Sequence, residues 1–173
     1  NDSYSKDDPN WNNGFANTTG WEATGKENAD TKFIKALADE IKKNSFGAIN
    51  AKVDPKKFYL CGFSMGGMMT YACANVLNGT FAAYGACSGF PMNEFHLNLA
   101  TENPMPFIHL HGANDNVVEI KYLNTIIDNL LARNGCDLSG KTSTDTWTTT
   151  TSNGETHSFK RYDFVGINKV PVT

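Results

Sequence analysis

The sequence predicts a single α/β domain, with a mostly parallel sheet that has helices on both faces. Short, continuously apolar segments alternate with segments whose apolar residues recur every three or four positions. Continuously apolar strands are typical of parallel sheets, which are buried on both faces. The 173 residues contain no internal repeat and no sign of a second domain, so one core is expected over residues 1–173.

Each element is recognised from its own local pattern. Apolar residues at helical spacing predict helices, in order, over residues 28–44, 65–77 and 121–133. Short apolar runs predict strands at residues 57–61, 81–89 and 106–112. Asn153-Gly154 predicts the turn of a β-hairpin. Residues 169–173 are predicted to form the first part of a further strand. The first 25 residues are polar with interspersed aromatics, which predicts a long loop packed onto the body.

Composition and charge narrow the range of partners. The net charge of −3 and the pI near 5.8 argue against nucleic acid and against anionic membranes. No apolar run approaches the length of a membrane span, and the chain opens without methionine, which suggests that an upstream segment has been removed. The four cysteines show no zinc spacing, and those at 61, 73 and 87 are expected to be buried as small apolar side chains. No metal and no cofactor is expected.

The stretch from residue 58 to residue 73 carries the strongest chemical signal. Within it, Gly62-Phe-Ser64-Met-Gly66 fits the nucleophile-elbow pattern G-x-S-x-G, and a strand precedes it and a helix follows it, as the motif requires. A serine at such a turn has a strained backbone that projects its hydroxyl, and the Met65 amide points into the same space as an oxyanion donor. Side chains at Gly62 or Gly66 are expected to collide with neighbouring backbone. The alternative is a Gly-rich turn whose serine only caps the helix.

A serine nucleophile needs a base, and the base needs an orienting acid. Asp115 lies just beyond the strand at residues 106–112, two crossovers after the elbow strand, where catalytic groups of parallel sheets gather. We therefore expect Asp115 to be the acid, the alternative being an Asx-turn that shapes the loop.

The histidine is harder to place. His157 alone follows Asp115, but it lies on the second arm of the predicted hairpin, before the final strand. His157 is thus a possible base, whereas a base on a loop after the final strand would lie beyond Thr173. His109 and His111 precede the acid, and we expect packing and loop-shaping roles for them rather than metal binding.

Four segments together carry a family resemblance. These segments are residues 62–69, 81–83, 111–118 and 133–136. Their order and spacing are similar to those of the polyhydroxybutyrate depolymerase-like esterases, which include the feruloyl and acetyl-xylan esterases of carbohydrate esterase family one. The resemblance covers most of residues 28–173 and implies a partial α/β-hydrolase fold with Ser64 as nucleophile and Asp115 as acid. The family's opening His-Gly oxyanion loop and its closing histidine segment are not found, so the first strands and the final histidine loop are expected to be missing.

The resemblance implies a secreted serine esterase that releases feruloyl or acetyl groups from ester-substituted plant cell-wall polysaccharide. The loop from residue 90 to residue 104 and the N-terminal aromatics are expected to shape the acyl pocket. Two alternatives stay open: a polyester depolymerase or serine peptidase on the same fold, and a non-catalytic carbohydrate-binding or scaffold domain that kept the elbow.

Overall fold

The computed structural model describes residues 27–43, 53–77, 79–90, 104–137, 144–166 and 170–173. The predicted N-terminal aromatic loop and nearly all of the loop from residue 90 to residue 104 lie outside these ranges. The elements in chain order are α1 (Ala29–Lys42), β1 (Tyr59–Phe63), α2 (Met65–Val76), β2 (Ala83–Cys87), β3 (Phe107–Leu110), a 3-10 helix (Ile120–Tyr122), α3 (Leu123–Arg133), β4 (Asp145–Thr150), β5 (Thr156–Arg161), β6 (Phe164–Val165) and β7 (Pro171–Val172).

The main sheet is mostly parallel, as predicted. Its strand order is β1-β2-β3-β7-β6; β1, β2, β3 and β7 run parallel to one another, and β6 is antiparallel to β7. Because β1, β2 and β3 are adjacent, their carboxyl ends lie at one edge of the sheet. The segments that follow these three strands therefore meet at that edge.

The helices begin and end where local chemistry allows it. At the start of α1, Asn28 and Thr31 form a reciprocal capping box, in which each side chain accepts a hydrogen bond from the other residue's amide at 2.9 Å. At the end of α3, Gly135 adopts a φ of 65°, and the amides of Gly135 and Cys136 donate to the carbonyls of Ala132 and Leu131. This is the Schellman termination that a glycine after a helix predicts.

The described helices pack on one face of the sheet. The core there joins residues of α1, α2 and α3 to strand residues of the same face, among them Ala38, Tyr71, Tyr84, Phe107, Leu130, Leu131 and Val172. The rings of Tyr71 and Phe107 stack with their centroids 4.6 Å apart, which ties α2 to β3. None of the described helices is both long and apolar enough to cross a membrane.

The opposite face of the sheet is apolar and exposed within the described ranges. Tyr59 and Phe63 of β1 are 64% and 70% exposed, and Ile108 and Leu110 of β3 also face solvent. The expectation that Cys61 is buried was wrong, because Cys61 points to this same face. Cys73 lies in the core as expected.

The predicted hairpin forms a sheet of its own. Strands β4 and β5 pair with each other, and Gly154 in the connecting turn has a φ of 85°, which favours glycine. Trp147 and Phe159 face each other across the two strands, and their rings stack at 5.2 Å.

Candidate active site

The elbow has the geometry that its sequence pattern predicts. Ser64 follows β1 directly and precedes α2, and its φ of 54° and ψ of −121° lie where non-glycine residues are strained. Its side chain makes no capping hydrogen bond to the helix, so the alternative of a mere capping serine does not describe it. Ser64 directly precedes Met65, the first residue of α2, so the serine lies at the N-terminus of that helix.

The glycines around the elbow differ in what they tolerate. A Cβ at Gly62 would lie 2.1 Å from the Gly66 carbonyl oxygen, and one at Gly89 would lie 2.4 Å from the Ser64 carbonyl oxygen. A Cβ at Gly66 would meet nothing within 4 Å, so the expected collision at Gly66 was wrong. The crowding comes instead from Gly89, which follows β2 and packs against the turn. The elbow therefore depends on a neighbouring strand as well as on its own motif.

A residue that the sequence reasoning missed lies between the nucleophile and the acid. Ser88 follows β2, has a φ of 46°, and donates its amide to the Leu110 carbonyl at 2.9 Å. Its hydroxyl lies near enough to Asp115 to lower the pKa of that carboxyl slightly, less than the Val118 and Val117 amides do. The preceding carbonyl, that of Cys87, accepts from the Ser64 amide at 2.9 Å. One sequence signal could have revealed Ser88. It directly follows β2, the strand between β1, which leads to Ser64, and β3, which leads to Asp115.

Asp115 lies at the same edge, beyond β3. Its Oδ1 accepts hydrogen bonds from the Val117 amide at 3.0 Å and the Val118 amide at 2.8 Å. These amides, first that of Val118 and then that of Val117, hold the pKa of Asp115 below its ordinary value. Oδ1 thus shapes the loop as an Asx-turn would, and Oδ2 lies 3.7 Å from His111 Nε2.

Two of the four histidines lie beneath the acid. His109 and His111 are neighbours on one face of the chain, with His109 Nε2 and His111 Nδ1 3.2 Å apart. The outer nitrogens are also occupied: His109 Nδ1 is 2.8 Å from the Tyr71 hydroxyl, and His111 Nε2 is 2.7 Å from the Val118 carbonyl oxygen. With both nitrogens of each ring engaged, neither ring is placed to take the proton of Ser64.

His157 lies on β5, in the separate hairpin sheet. It faces Thr149 across the hairpin and lies 3.9 Å from the Glu155 carboxylate, with 52% of its side chain exposed. Its contacts within the described chain stay on the hairpin, and the structure does not join it to Ser64 or Asp115. In the described ranges, no group of three or more His, Cys, Asp or Glu side chains is arranged to hold a metal ion.

Comparisons with known proteins show which family the chain belongs to. Residues 8–152 match the model of the Phospholipase/Carboxylesterase family. The chain is 32% identical over 125 residues to a bifunctional acetylxylan esterase/xylanase of Neocallimastix patriciarum, a match that covers 72% of this chain. It is 28% identical over 117 residues to feruloyl esterase C of Emericella nidulans, and 27% identical over 150 residues to a probable feruloyl esterase C of Aspergillus niger. The last two matches cover 68% and 87% of this chain.

The chain spans only part of these relatives: 17%, 39% and 48% of their lengths, in the same order. Among solved structures, the chain is similar to a variant of Arabidopsis thaliana SOBER1, with 21% identity and a TM-score of 0.47. That similarity covers 60% of this chain and 48% of the other. The family model covers far more than half of the sequence, including the elbow, Asp115 and the first strand of the hairpin. The chain is thus an α/β-hydrolase and belongs to the Phospholipase/Carboxylesterase family.

Proposed function

We propose that this protein is a secreted serine esterase that releases feruloyl or acetyl groups from plant cell-wall xylan. The observation that carries the proposal is the strained, uncapped Ser64 at the start of α2, at the same sheet edge as Asp115. Strands β1 and β3 are separated only by β2, a spacing of roughly 10 Å between their axes. An imidazole between the two side chains would complete a triad of nucleophile, base and acid.

The reaction is the two-step acyl transfer of a serine hydrolase. The base takes the Ser64 proton as Oγ attacks the ester carbonyl, and the Met65 amide donates a hydrogen bond to the oxyanion that forms. The base then protonates the departing sugar hydroxyl, which leaves an acyl group on Ser64. Water, deprotonated by the same base, attacks this acyl-enzyme and releases the free acid. Asp115 orients the base and stabilises its charged form.

The names of the relatives support the choice of substrate. Three matched proteins are named as acetylxylan or feruloyl esterases, which fits the resemblance to carbohydrate esterase family one. A xylan ester lies outside the cell that uses it, so secretion follows from the proposed substrate. A polyester depolymerase is the second candidate, since the matched family is described by phospholipase and carboxylesterase chemistry, which is wider than sugar esters.

The identity of the base is the open part of the proposed triad. His109 and His111 are engaged at both ring nitrogens, and His96 lies outside the described residues. His157 stays a candidate that would require the hairpin to approach Ser64, and a histidine outside residues 1–173 is the alternative. Replacing His157 with Ala distinguishes them: a loss of activity as severe as that of a Ser64→Ala variant assigns His157 as the base.

The test compares ester substrates in the protein and in two serine variants. We expect release of ferulate or acetate from substituted xylan to exceed hydrolysis of short polyhydroxybutyrate and of a peptide amide. Ser64→Ala should abolish this release and also block labelling by a fluorophosphonate probe. Ser152→Ala, an exposed serine in the hairpin turn, should leave both unchanged. A preference for the polyester or the amide would contradict the proposed substrate class. Absence of fluorophosphonate labelling in the unaltered protein would favour a non-catalytic binding domain.

A further inference from the structure

A buried chain of hydrogen bonds joins the helix of the nucleophile to the loop of the acid. It consists of the side chains of Tyr71, His109 and His111, and we call these three residues the relay. Tyr71 lies on α2 and has no exposed surface, and the side chain of His111 is 2% exposed. The relay ends at the carbonyl of Val118, in the loop after β3 that we call the acid loop (residues 112–118).

The direction of the relay follows from its last member. A carbonyl oxygen can only accept, so His111 Nε2 carries a proton and donates it to Val118. In a neutral His111 the other nitrogen then accepts, which requires His109 Nε2 to donate. His109 Nδ1 accepts in turn, and the Tyr71 hydroxyl donates to it. Each group thus has one proton assignment that satisfies both of its bonds.

The surroundings keep Tyr71 and His109 neutral. Burial, and after it the neighbouring His111, lowers the pKa of His109 to about 4. Burial raises the pKa of Tyr71, so its hydroxyl keeps its proton. Protonation of His109 at Nδ1 would reverse its bond with the Tyr71 hydroxyl and leave its bond to His111 unchanged.

The far end of the relay meets the Asp115 carboxylate through one residue. The Val118 amide donates to Asp115 Oδ1, and the Val118 carbonyl accepts from His111. Val118 is therefore held on both sides, by the acid and by the relay. Because Tyr71 belongs to the helix that begins beside Ser64, the relay fixes the acid loop relative to that helix.

We propose that the relay positions Asp115: His111, held in one tautomer by His109 and Tyr71, anchors Val118 and so orients the acid toward the catalytic base. This inference rests on the proposed function of Asp115 as the triad acid. His109, His111 and Tyr71 are positioning residues in it, since none of them touches the substrate.

The structure supplies matched variants for a test. Tyr71→Phe removes the first donor of the relay and keeps the ring that stacks on Phe107. Tyr84→Phe is its control, since the buried Tyr84 hydroxyl donates to the Leu77 carbonyl at 2.9 Å, outside the relay. His111→Leu removes both bonds of that ring, whereas His111→Gln retains one acceptor and one donor at similar positions.

The kinetic readout separates positioning from stability. In hydrolysis of a small chromogenic acetate ester, we expect Tyr71→Phe to lower kcat about tenfold with KM unchanged, and His111→Leu to lower it on the order of 100-fold. His111→Gln should recover most of that loss. Tyr84→Phe should lower the melting temperature as much as Tyr71→Phe does and leave kcat within about twofold. Equal kcat values in Tyr71→Phe and Tyr84→Phe would overturn the proposal.

Two NMR readouts do not depend on activity. Ring ¹⁵N shifts of the full protein near neutral pH should show His109 and His111 as neutral Nε2–H tautomers. The carboxyl ¹³C titration of Asp115 should give a higher pKa in His111→Leu than in the unaltered protein, because the loosened Val118 amide no longer holds the charged form. Nδ1–H tautomers or an unchanged Asp115 titration would overturn the relay. An intact relay in a protein that hydrolyses no ester would instead contradict the proposed function.

Discussion

At the scale of single residues, the two oxygens of Asp115 have different tasks. Oδ1 accepts from two backbone amides and gives the loop its shape, while Oδ2 lies 3.7 Å from His111 Nε2. The sequence offered an acid and an Asx-turn as alternatives. The structure shows that the turn forms through Oδ1, and in the proposed function Oδ2 is the oxygen that would accept from a base.

Replacing Asp115 with Asn separates these two tasks. The amide oxygen can still accept from both amides, so the loop should keep its conformation, whereas the negative charge that supports the base is lost. We expect activity to fall about 10³–10⁴-fold. An Asp145→Asn variant, at an exposed position on β4, serves as control and should keep its activity. Retention of full activity in Asp115→Asn would exclude Asp115 as the acid.

The same variant has a predictable effect on stability at low pH. The pKa of Asp115 is lowered in the folded protein, so the carboxylate stabilises the fold above its ordinary pKa. This contribution is lost as the pH falls through the lowered pKa. The melting temperature of Asp115→Asn should therefore fall less than that of the unaltered protein between neutral pH and pH values below that pKa.

The glycines of the elbow provide the second prediction at this scale. A Cβ at Gly62 would overlap the Gly66 carbonyl, so Gly62→Ala should cost about 3 kcal/mol or more of unfolding free energy. Gly66 faces open space on a helix, so Gly66→Ala should stabilise the protein by about 0.5–1 kcal/mol. Denaturant unfolding of both variants measures the difference. Equal destabilisation would show that position 66 is crowded after all.

At the scale of elements, Asn134 joins the end of α3 to the segment that enters β3. Its side chain is fully buried, accepts from the Met105 amide at 3.0 Å and donates to the Met105 carbonyl at 2.7 Å. These two bonds replace a strand partner for Met105. They also hold Met105, which precedes the start of β3. This strand carries His109 of the relay and leads into the acid loop.

Replacing Asn134 with Ala should leave both backbone groups of Met105 buried and unpaired. We expect a loss of about 2–4 kcal/mol in unfolding free energy. Asn124→Ala, on the exposed face of α3, is the matched control and should change it by less than about 0.5 kcal/mol. A loss below 1 kcal/mol in Asn134→Ala would mean that water or a rearranged loop satisfies Met105.

At the scale of the whole molecule, the two faces of the sheet differ in burial. Tyr84 on β2 lies in the core with 2% of its surface exposed, while Tyr59 on the neighbouring β1 is 64% exposed on the opposite face. Burial of a large side chain contributes several kcal/mol, so the two tyrosines should differ widely in their contribution to stability.

Alanine variants of the two tyrosines measure this difference. Tyr84→Ala should cost about 3–5 kcal/mol of unfolding free energy, since it opens a cavity beside Phe107. Tyr59→Ala should cost less than about 1 kcal/mol, because it removes only strand propensity at an exposed position. A cost for Tyr59→Ala near that of Tyr84→Ala would show that the exposed face is covered in solution.

Much of the fold could be predicted from local pattern alone. Periodicity located the three helices and the strands before and after the elbow, because burial on one face imposes the same spacing whatever the partner. The strand ends were less accurate: the strand predicted at residues 106–112 is shorter in the structure, since His111 leaves the ladder and turns inward to the relay. The residue at which a strand ends depends on its hydrogen bonds to the adjacent strand. The sequence pattern of a single strand does not show which segment lies beside it.

Local sequence patterns were sufficient to predict the elbow, the position of Asp115 beyond a strand and the alternation that makes a parallel sheet. These follow from short-range rules of backbone strain, capping and spacing. Three further features appear only when the elements pack together: Gly89 packs against the elbow turn, Ser88 lies near Asp115, and Tyr71, His109 and His111 form one directed chain. Each of these depends on atoms from different strands and helices coming within a few ångströms, and that distance is set by packing rather than by spacing along the chain.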